Sequence, residues 1–217
     1  FTNAKMICIT GTNGKTTTTL LTYHILQKAG LNVGLGGNVG KSFARQVAEE
    51  NYDYYVLELS SFQLDGCYEF KADVAILTNI TPDHLDRYEY NLQNYVDSKF
   101  RILQNQGPAD AFIFCADDEI TMQEISKREF KMQCLPFSIK QKEGMSAYTE
   151  NNNLIIQTHN QTLTMSIQDL ALQGKHNLYN SMASGIASRI LEIRTDGTVA
   201  DFEGSYEEYL ASQSIEG

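Results

Sequence analysis

The sequence contains, at positions 10–17, the stretch Thr10-Gly11-Thr12-Asn13-Gly14-Lys15-Thr16-Thr17. Four residues with apolar side chains precede it, and a segment with helical spacing, residues 15–29, follows it. This order predicts a buried parallel strand, a glycine-rich turn and a helix. The backbone N–H groups of such a turn form a cradle for phosphates, which Lys15 reaches while the Thr16 hydroxyl binds Mg²⁺. We therefore expect the loop to bind ATP with magnesium.

The loop is a variant of the usual phosphate-binding pattern. That pattern has a glycine five residues before Gly14, and Ile9 stands there instead. A chance Gly-Lys-Thr sequence is the alternative interpretation. The order of strand, loop and helix favours the phosphate loop over chance.

Apolar runs continue to alternate with helical segments along the chain. Strands are predicted at residues 31–35, 54–57, 74–77 and 111–114, and helices at 42–50 and 91–104. This alternation predicts an α/β fold of the P-loop NTPase kind, with a mostly parallel sheet and helices on both faces. Beyond residue 132, short runs at 145–148, 154–157 and 162–165 predict a small antiparallel β subdomain, followed by a helix at 176–191.

Several polar residues stand directly after predicted strands. Lys15, Asn38, Glu58 and His84 all do so, and ligands of open α/β sheets bind outside the carboxyl ends of the strands. Glu58 is a candidate magnesium residue, with an ordinary exposed strand-end carboxylate as the alternative. For His84 the alternative is a structural role.

Two further polar positions are ambiguous from spacing alone. Lys99 lies in the predicted helix at 91–104, where a solvated surface position is the simpler interpretation. His176, Asn177 and Asn180 cluster at the start of a helix, where capping is the ordinary role of such residues.

Composition narrows the classes of function. The 217 residues carry 27 acidic and 17 basic side chains, a net charge of −10, which disfavours nucleic-acid partners. No apolar run approaches the ~18–20 residues of a membrane span, and no signal peptide is visible. The four cysteines lack C-x-x-C spacing, which indicates free thiols and a reducing cytoplasm. A chain that opens at Phe1 is expected to be a piece of a longer protein.

Six ordered motifs between about residues 5 and 193 resemble the Mur ligase family, which includes folylpolyglutamate synthase. They are the loop at 10–16, Gly37-Asn38-Val39-Gly40, Glu58-Leu59-Ser60-Ser61-Phe62-Gln63-Leu64, the segment 79–86, Lys99, and His176-Asn177 with Asn180. The motif that starts at Glu58 looks most like the members that add D-glutamate. On this basis residues 1–193 are expected to be the central ATP-binding domain, and residues 194–217 a tail of uncertain origin.

The resemblance implies a role for each matched residue. Thr16 and Glu58 would share one Mg²⁺, and His84 would help to hold a second. Lys99 would be carbamylated beside the second Mg²⁺, so the resemblance places it in the site and not on the surface. Asn38 and Ser60 would face the substrate, and Asn177 and Asn180 would lie near adenine. The implied ATP-binding residues of the loop are Gly11, Thr12, Asn13, Gly14, Lys15, Thr16 and Thr17, with Lys15, Glu58, His84 and Lys99 as the implied catalytic set.

The implied reaction has two steps. The carboxylate of UDP-N-acetylmuramoyl-L-alanine attacks the γ-phosphate of ATP, and the amine of D-glutamate then displaces phosphate from the acyl phosphate. The family's UDP-binding and amino-acid-binding domains are not recognisable here, so we expect the chain to bind ATP with magnesium weakly and to have little activity alone. We also expect a monomer. The alternatives are a folylpolyglutamate synthase-like ligase domain and a P-loop nucleotide-binding switch module.

Overall fold

The computed structural model describes residues 2–83, 85–158, 161–170 and 172–195, with the backbone alone for Gln161 and residues 192–195. His84 and residues 196–217, on which two of the sequence predictions fall, lie outside the described residues.

One sheet organises the described part of the chain. Its strand order is β2-β3-β1-β4-β5-β6-β7-β8-β9; the pairs from β2 through β7 are parallel, and the last two pairs are antiparallel. The strands are β1 Lys5–Thr10, β2 Val33–Gly37, β3 Tyr54–Glu58, β4 Val74–Leu77, β5 Ala111–Cys115, β6 Gln133–Ser138, β7 Ala147–Glu150, β8 Asn153–Thr158 and β9 Gln161–Ser166.

Six α-helices flank this sheet within the described ranges. They are α1 Lys15–Lys28, α2 Phe43–Glu49, α3 Ser61–Asp65, α4 Leu92–Phe100, α5 Glu119–Ile125 and α6 Lys175–Thr195. Short 3₁₀ turns stand at Leu85–Tyr88, Arg101–Leu103 and Ile167–Asp169. No helix of the described residues is long and apolar enough to cross a membrane.

Side chains of the buried strands contribute to two separate hydrophobic cores, one on each face of the sheet. Ile7 and Ile9 point into the core shared with α1 and α6, whereas Cys8 between them points into the core shared with α2 to α5. This alternation follows from the period of two along a strand. Because both faces are covered, the central strands β4 and β5 are apolar throughout. The predicted mostly parallel sheet with helices on both faces is confirmed.

The sequence prediction missed three elements, α3, α5 and β6. The helices α3 and α5 are five and seven residues long, too short to show helical periodicity. Strand β6 carries Pro136, which has no N–H to donate to a ladder. Pairing of β6 with β7 begins only after that proline, with Phe137↔Ala147 and Ser138↔Tyr148. The antiparallel strands β7 to β9 extend the same sheet.

Candidate functional site

Two glycines allow the loop between β1 and α1 to pack closely between β4 and α6. Gly11 has a φ of 148°, and a Cβ on it would lie 1.9 Å from Thr78 Oγ1. Gly14 has a φ of 81°, and a Cβ there would lie 2.5 Å from Asn180 Oδ1. Both positions therefore require glycine, for conformation and for space. Asn180 is thereby placed directly against the loop.

Residues that follow β4 hold this loop in place. Thr12 N donates to Asn79 O at 2.9 Å, and the Thr12 hydroxyl donates to Thr81 O at 3.1 Å. Asn13 N donates to the side-chain oxygen of Asn79 at 2.9 Å. Asn79 and Thr81 were not singled out from the sequence, although they lie within the motif that begins at residue 79.

The predicted phosphate-binding side chains stand at the start of α1. Lys15 Nζ donates to the backbone oxygen of Thr12 at 2.9 Å, so it folds over the loop. Thr16 is exposed and Thr17 half-buried, whereas the next residue, Thr18, is fully buried. The loop thus presents one cation and the hydroxyl of Thr16 on its open side.

Lys99 is buried under the loop. Its side chain is 2% exposed, and Nζ donates to Gly11 O at 2.7 Å. Nζ also lies 4.6 Å from the centre of the Tyr95 ring. Burial, together with the positive charge of Lys15, lowers the pKa of Lys99 to about 7, against an opposing effect of Asp83. The surface position that spacing alone favours for Lys99 is wrong, because α4 turns this side of the helix towards the loop.

Glu58 ends β3 as a buried carboxylate. The residue is 1% exposed, Oε1 accepts a hydrogen bond from Asn38 Nδ2 at 3.0 Å, and Oε2 has no hydrogen-bond partner among the described residues. The alternative of an ordinary exposed strand-end carboxylate is wrong. A buried, unpartnered carboxylate oxygen fits a cation, because burial without a partner is costly.

No group of three or more His, Cys, Asp or Glu residues forms a metal site within the described ranges. The predicted magnesium ligands also include a hydroxyl, Thr16, a lysine, Lys99, and His84, whose position is not described. The fit of the site to Mg²⁺ therefore depends on the free oxygen of Glu58 and on the chemistry of these other groups.

The predicted substrate residues occupy different positions. Asn38 is exposed, and its amide is bound to Glu58. Ser60 is the N-cap residue of α3 and forms a capping box with Gln63. Gln63 N donates to Ser60 Oγ at 3.3 Å, and Ser60 N donates to Gln63 Oε1 at 2.9 Å. Ser60 thus has a structural role in the cap, which leaves its other lone pair for a ligand.

A cavity of about 560 Å³ opens beside the loop. Asn13 and Gly14 border it on the loop side, and Phe137, Tyr179 and Asn180 border it on the other. A pocket with aromatic walls next to an anion cradle has the shape that a nucleotide requires. Of the predicted adenine residues, Asn180 lies in the wall and accepts from Thr18 Oγ1 at 3.2 Å, whereas Asn177 accepts at its Oδ1 from Asn180 Nδ2 at 3.3 Å.

Asp117, which the sequence did not indicate, joins three elements in the wall of this cavity. Its carboxylate accepts from Ser138 Oγ at 2.6 Å, Ile139 N at 2.9 Å and Tyr179 OH at 2.8 Å. Burial alone raises the pKa of Asp117, but the three hydrogen bonds outweigh it and hold the pKa below its usual value. Asp117 therefore fixes Tyr179 against the end of β6.

A charged cluster braces α4, the helix that carries Lys99, against α5. Glu124 is 7% exposed at its side chain and accepts from Lys127 at 2.9 Å, Arg128 at 2.6 Å and Gln93 of α4 at 3.2 Å. Arg128 also lies 4.6 Å from the centre of the Phe100 ring. Burial raises the pKa of Glu124, yet these hydrogen bonds prevail and lower it to about 2.

Glu124→Gln is expected to lower the free energy of unfolding by about 2 kcal/mol near neutral pH. Folding depresses the pKa of Glu124. Its contribution to the free energy of unfolding is therefore complete above the pKa of the unfolded chain, about 4.3, and is lost as the pH falls towards the folded pKa of about 2. Urea unfolding of both proteins across that pH range measures the difference. Glu129→Gln, at an exposed position nearby, is the control, and a difference that does not change with pH would contradict the prediction.

One family of known proteins matches most of this chain. The Mur ligase middle domain family matches residues 9–188. The chain is 55% identical over 207 residues to the UDP-N-acetylmuramoylalanine–D-glutamate ligase of Bacteroides fragilis, covering 94% of this chain and 46% of that protein. It is 48% identical over 198 residues to the ligase of the same name from Porphyromonas gingivalis, covering 90% and 44%. The chain thus spans about half the length of the curated relatives that it matches.

Solved structures share the fold at lower identity. A UDP-N-acetylmuramoyl-L-alanyl-D-glutamate–2,6-diaminopimelate ligase superimposes with a TM-score of 0.69 at 20% identity, over 93% of this chain and 47% of that one. The MurF ligase from Thermotoga maritima, in complex with ADP, superimposes with a TM-score of 0.64 at 18% identity, over 94% and 50%. These likenesses show that the fold is common to these ligases.

Proposed function

Since this chain belongs to the Mur ligase family through its middle domain, we propose that it is the ATP-binding part of a ligase that joins D-glutamate to UDP-N-acetylmuramoyl-L-alanine in peptidoglycan precursor synthesis. The name of the relatives from Bacteroides fragilis and Porphyromonas gingivalis supports the choice of D-glutamate. The motif of residues 58–64, which resembles that of the members adding D-glutamate, is consistent with this choice.

The observation that carries the proposal is the position of Lys99. A nucleotide-binding switch needs the loop, Lys15 and Thr16, but it has no use for a buried amine within 2.7 Å of Gly11 O. Burial of a lysine is costly and is retained where chemistry needs it. A pKa of about 7 leaves much of the Lys99 amine unprotonated near neutral pH. The unprotonated amine is the form that combines with CO₂, so we propose that Lys99 is carbamylated.

The loop and its neighbours then perform the activating half of the reaction. Residues 11–17 hold the phosphates of ATP, and Lys15 neutralises the terminal phosphate as the substrate carboxylate attacks it. The products of this step are ADP and an acyl phosphate, from which the amine of D-glutamate displaces phosphate. The residues Asn38 and Ser60 are proposed to face the muramoyl substrate, and Asn177 and Asn180 to face the adenine side.

Two magnesium positions are proposed beside the loop. Thr16 and Glu58 would hold one Mg²⁺, and His84 with the carbamylated Lys99 would hold a second. Magnesium bound there supplies neutralisation of the phosphate charge. The free Oε2 of Glu58 supports the first position.

The Glu58→Gln variant tests the first magnesium position through binding alone. We expect the unaltered chain to bind ATP about tenfold more tightly with Mg²⁺ than with EDTA, and the variant to show less than about a twofold difference, since the amide is a poorer magnesium ligand. Isothermal titration calorimetry measures both. Asp53→Asn, the same charge change just before the start of β3, is the control; an undiminished magnesium effect in Glu58→Gln would disprove the assignment.

The function itself is tested by ADP release in the presence of both substrates. Because the chain covers less than half of its relatives, we expect the chain alone to bind ATP weakly with little turnover. A chimera in which it replaces the 207 matching residues of the Bacteroides fragilis ligase is expected to form the amide. Full turnover by the chain alone would overturn the proposal that other parts hold the substrates.

We further propose that residues 1–193 form the middle domain, that residues 194–217 are a tail of uncertain origin, and that the protein is a cytoplasmic monomer. The family match at residues 9–188 supports the bounds of the middle domain.

A further inference from the structure

The side chain of Asn79 pairs with both backbone groups of a single loop residue. Its Oδ1 accepts from Asn13 N at 2.9 Å, and its Nδ2 donates to Asn13 O at 3.0 Å. The backbone oxygen of Asn79 accepts from Thr12 N at 2.9 Å. Asn79 thus satisfies backbone N–H and C=O groups of the loop in the way that a neighbouring β-strand would.

The oxygen of Asn13 has a second donor. The Thr78 hydroxyl donates to it at 2.7 Å, so both lone pairs of this carbonyl are occupied on the side of β4. Gly11 permits that approach, because a Cβ on it would lie 1.9 Å from Thr78 Oγ1.

The direction of this carbonyl determines the direction of the next amide. In a trans peptide the C=O and the following N–H point in opposite directions, and no peptide of the described residues is cis. With the Asn13 oxygen held towards Thr78 and Asn79, the N–H of Gly14 points away from β4. Asn13, Gly14 and Asn79 all border the cavity, so this peptide lies on the side of the loop that faces the cavity.

We propose that Asn79 is a positioning residue that orients the peptide between Asn13 and Gly14, so that the Gly14 N–H faces the phosphates of the nucleotide. This inference rests on the proposed function, since it takes ATP as the ligand of the loop. Asparagine suits the role because one short side chain offers a donor and an acceptor side by side. Aspartate has the same shape but no donor, and its charge would repel the Asn13 oxygen and the phosphates.

The experiment compares the affinities of ATP, ADP and adenosine in the 217-residue chain with Asn79→Asp and Asn79→Ala. We expect affinity for ATP and ADP to fall at least about tenfold in Asn79→Asp and by less in Asn79→Ala, because alanine brings no negative charge to the Asn13 oxygen and the phosphates. Affinity for adenosine, which has no phosphate, is expected to stay within about twofold in both. Calorimetry suits ATP and ADP, and NMR titration suits the weaker adenosine. Asn32→Asp, before the start of β2, is the matched control.

The outcomes separate the possibilities. Unchanged ATP affinity in Asn79→Asp, or an equal loss of adenosine affinity, overturns the positioning role and leaves the proposed function standing. Failure of the unaltered chain to bind ATP overturns the proposed function and this inference with it. If Asn79→Asp does not fold, Thr78→Val, which removes the other donor to Asn13 O, decides by the same comparison: a loss confined to ATP and ADP supports the inference, and no loss overturns it.

Discussion

Lys99→Ala is expected to lower the rate of amide formation at least about a thousandfold in the chimera with the Bacteroides fragilis ligase. The alanine removes the buried amine below Gly11 and, with it, the proposed carbamate. Binding of ATP is expected to change far less, because the phosphate-binding groups of residues 11–17 remain. Initial rates of ADP release and equilibrium binding of ATP, measured on the same preparations, separate the two effects.

Lys131→Ala is the matched control for this variant. Lys131 is exposed and precedes β6, so the same truncation there removes a charge without touching the site. If Lys99→Ala left amide formation intact, the proposed ligase mechanism would be wrong, and a nucleotide-binding switch would be the better account of the loop.

Gly14→Ala is expected to weaken ATP binding at least about a hundredfold, because the loop can no longer form its cradle. The added methyl group would lie 2.5 Å from Asn180 Oδ1, at a φ of 81°. The free energy of unfolding is expected to fall by about 1–3 kcal/mol. Calorimetric titration with ATP and urea unfolding give the two quantities.

Gly30→Ala provides a control that shares the backbone conformation without the contact. Gly30 has a φ of 80°, and a Cβ on it has nothing within 4 Å. Its substitution is expected to cost about 1–2 kcal/mol of stability for the left-handed conformation and to leave ATP binding unchanged. Equal ATP affinity in the two variants would show that the loop is not the nucleotide site.

The strands that are buried on both faces were predictable from the sequence. For β4 the predicted and observed bounds are the same, and β3 and β5 are each one residue longer than predicted, because parallel strands between two helical layers are apolar throughout. Strand β2 lies at residues 33–37 rather than at the predicted 31–35, and its three glycines are unusual in a strand. The glycines are needed there for packing: a Cβ on Gly34 would lie 2.7 Å from the rings of Tyr52 and Tyr55.

The site was predictable only where it follows strand ends. Lys15 and Glu58 were found in this way, because the carboxyl ends of parallel strands share one edge of the sheet. Lys99 was not, since its burial depends on how α4 approaches a loop 88 residues earlier in the chain. The hydrogen bonds of Asn79 to Asn13 span 66 residues, and no local pattern records such a partnership. For Lys99 the family resemblance supplied what the local pattern lacks.

The junction between β6 and β7 has a consequence for how the domain opens. Two residue pairs join these strands, whereas five join β5 to β6. Segments with few shared contacts open at lower free energy than the rest of a fold, so β7 to β9 are expected to exchange their amide hydrogens as one cooperative unit. Helix α6 packs on β8, where Ile156 leaves no room for a Cβ on Gly185. The same helix carries Asn180 beside Gly14 of the loop. ATP bound at the loop is therefore expected to slow deuterium uptake in β7 to β9, although it does not contact these strands.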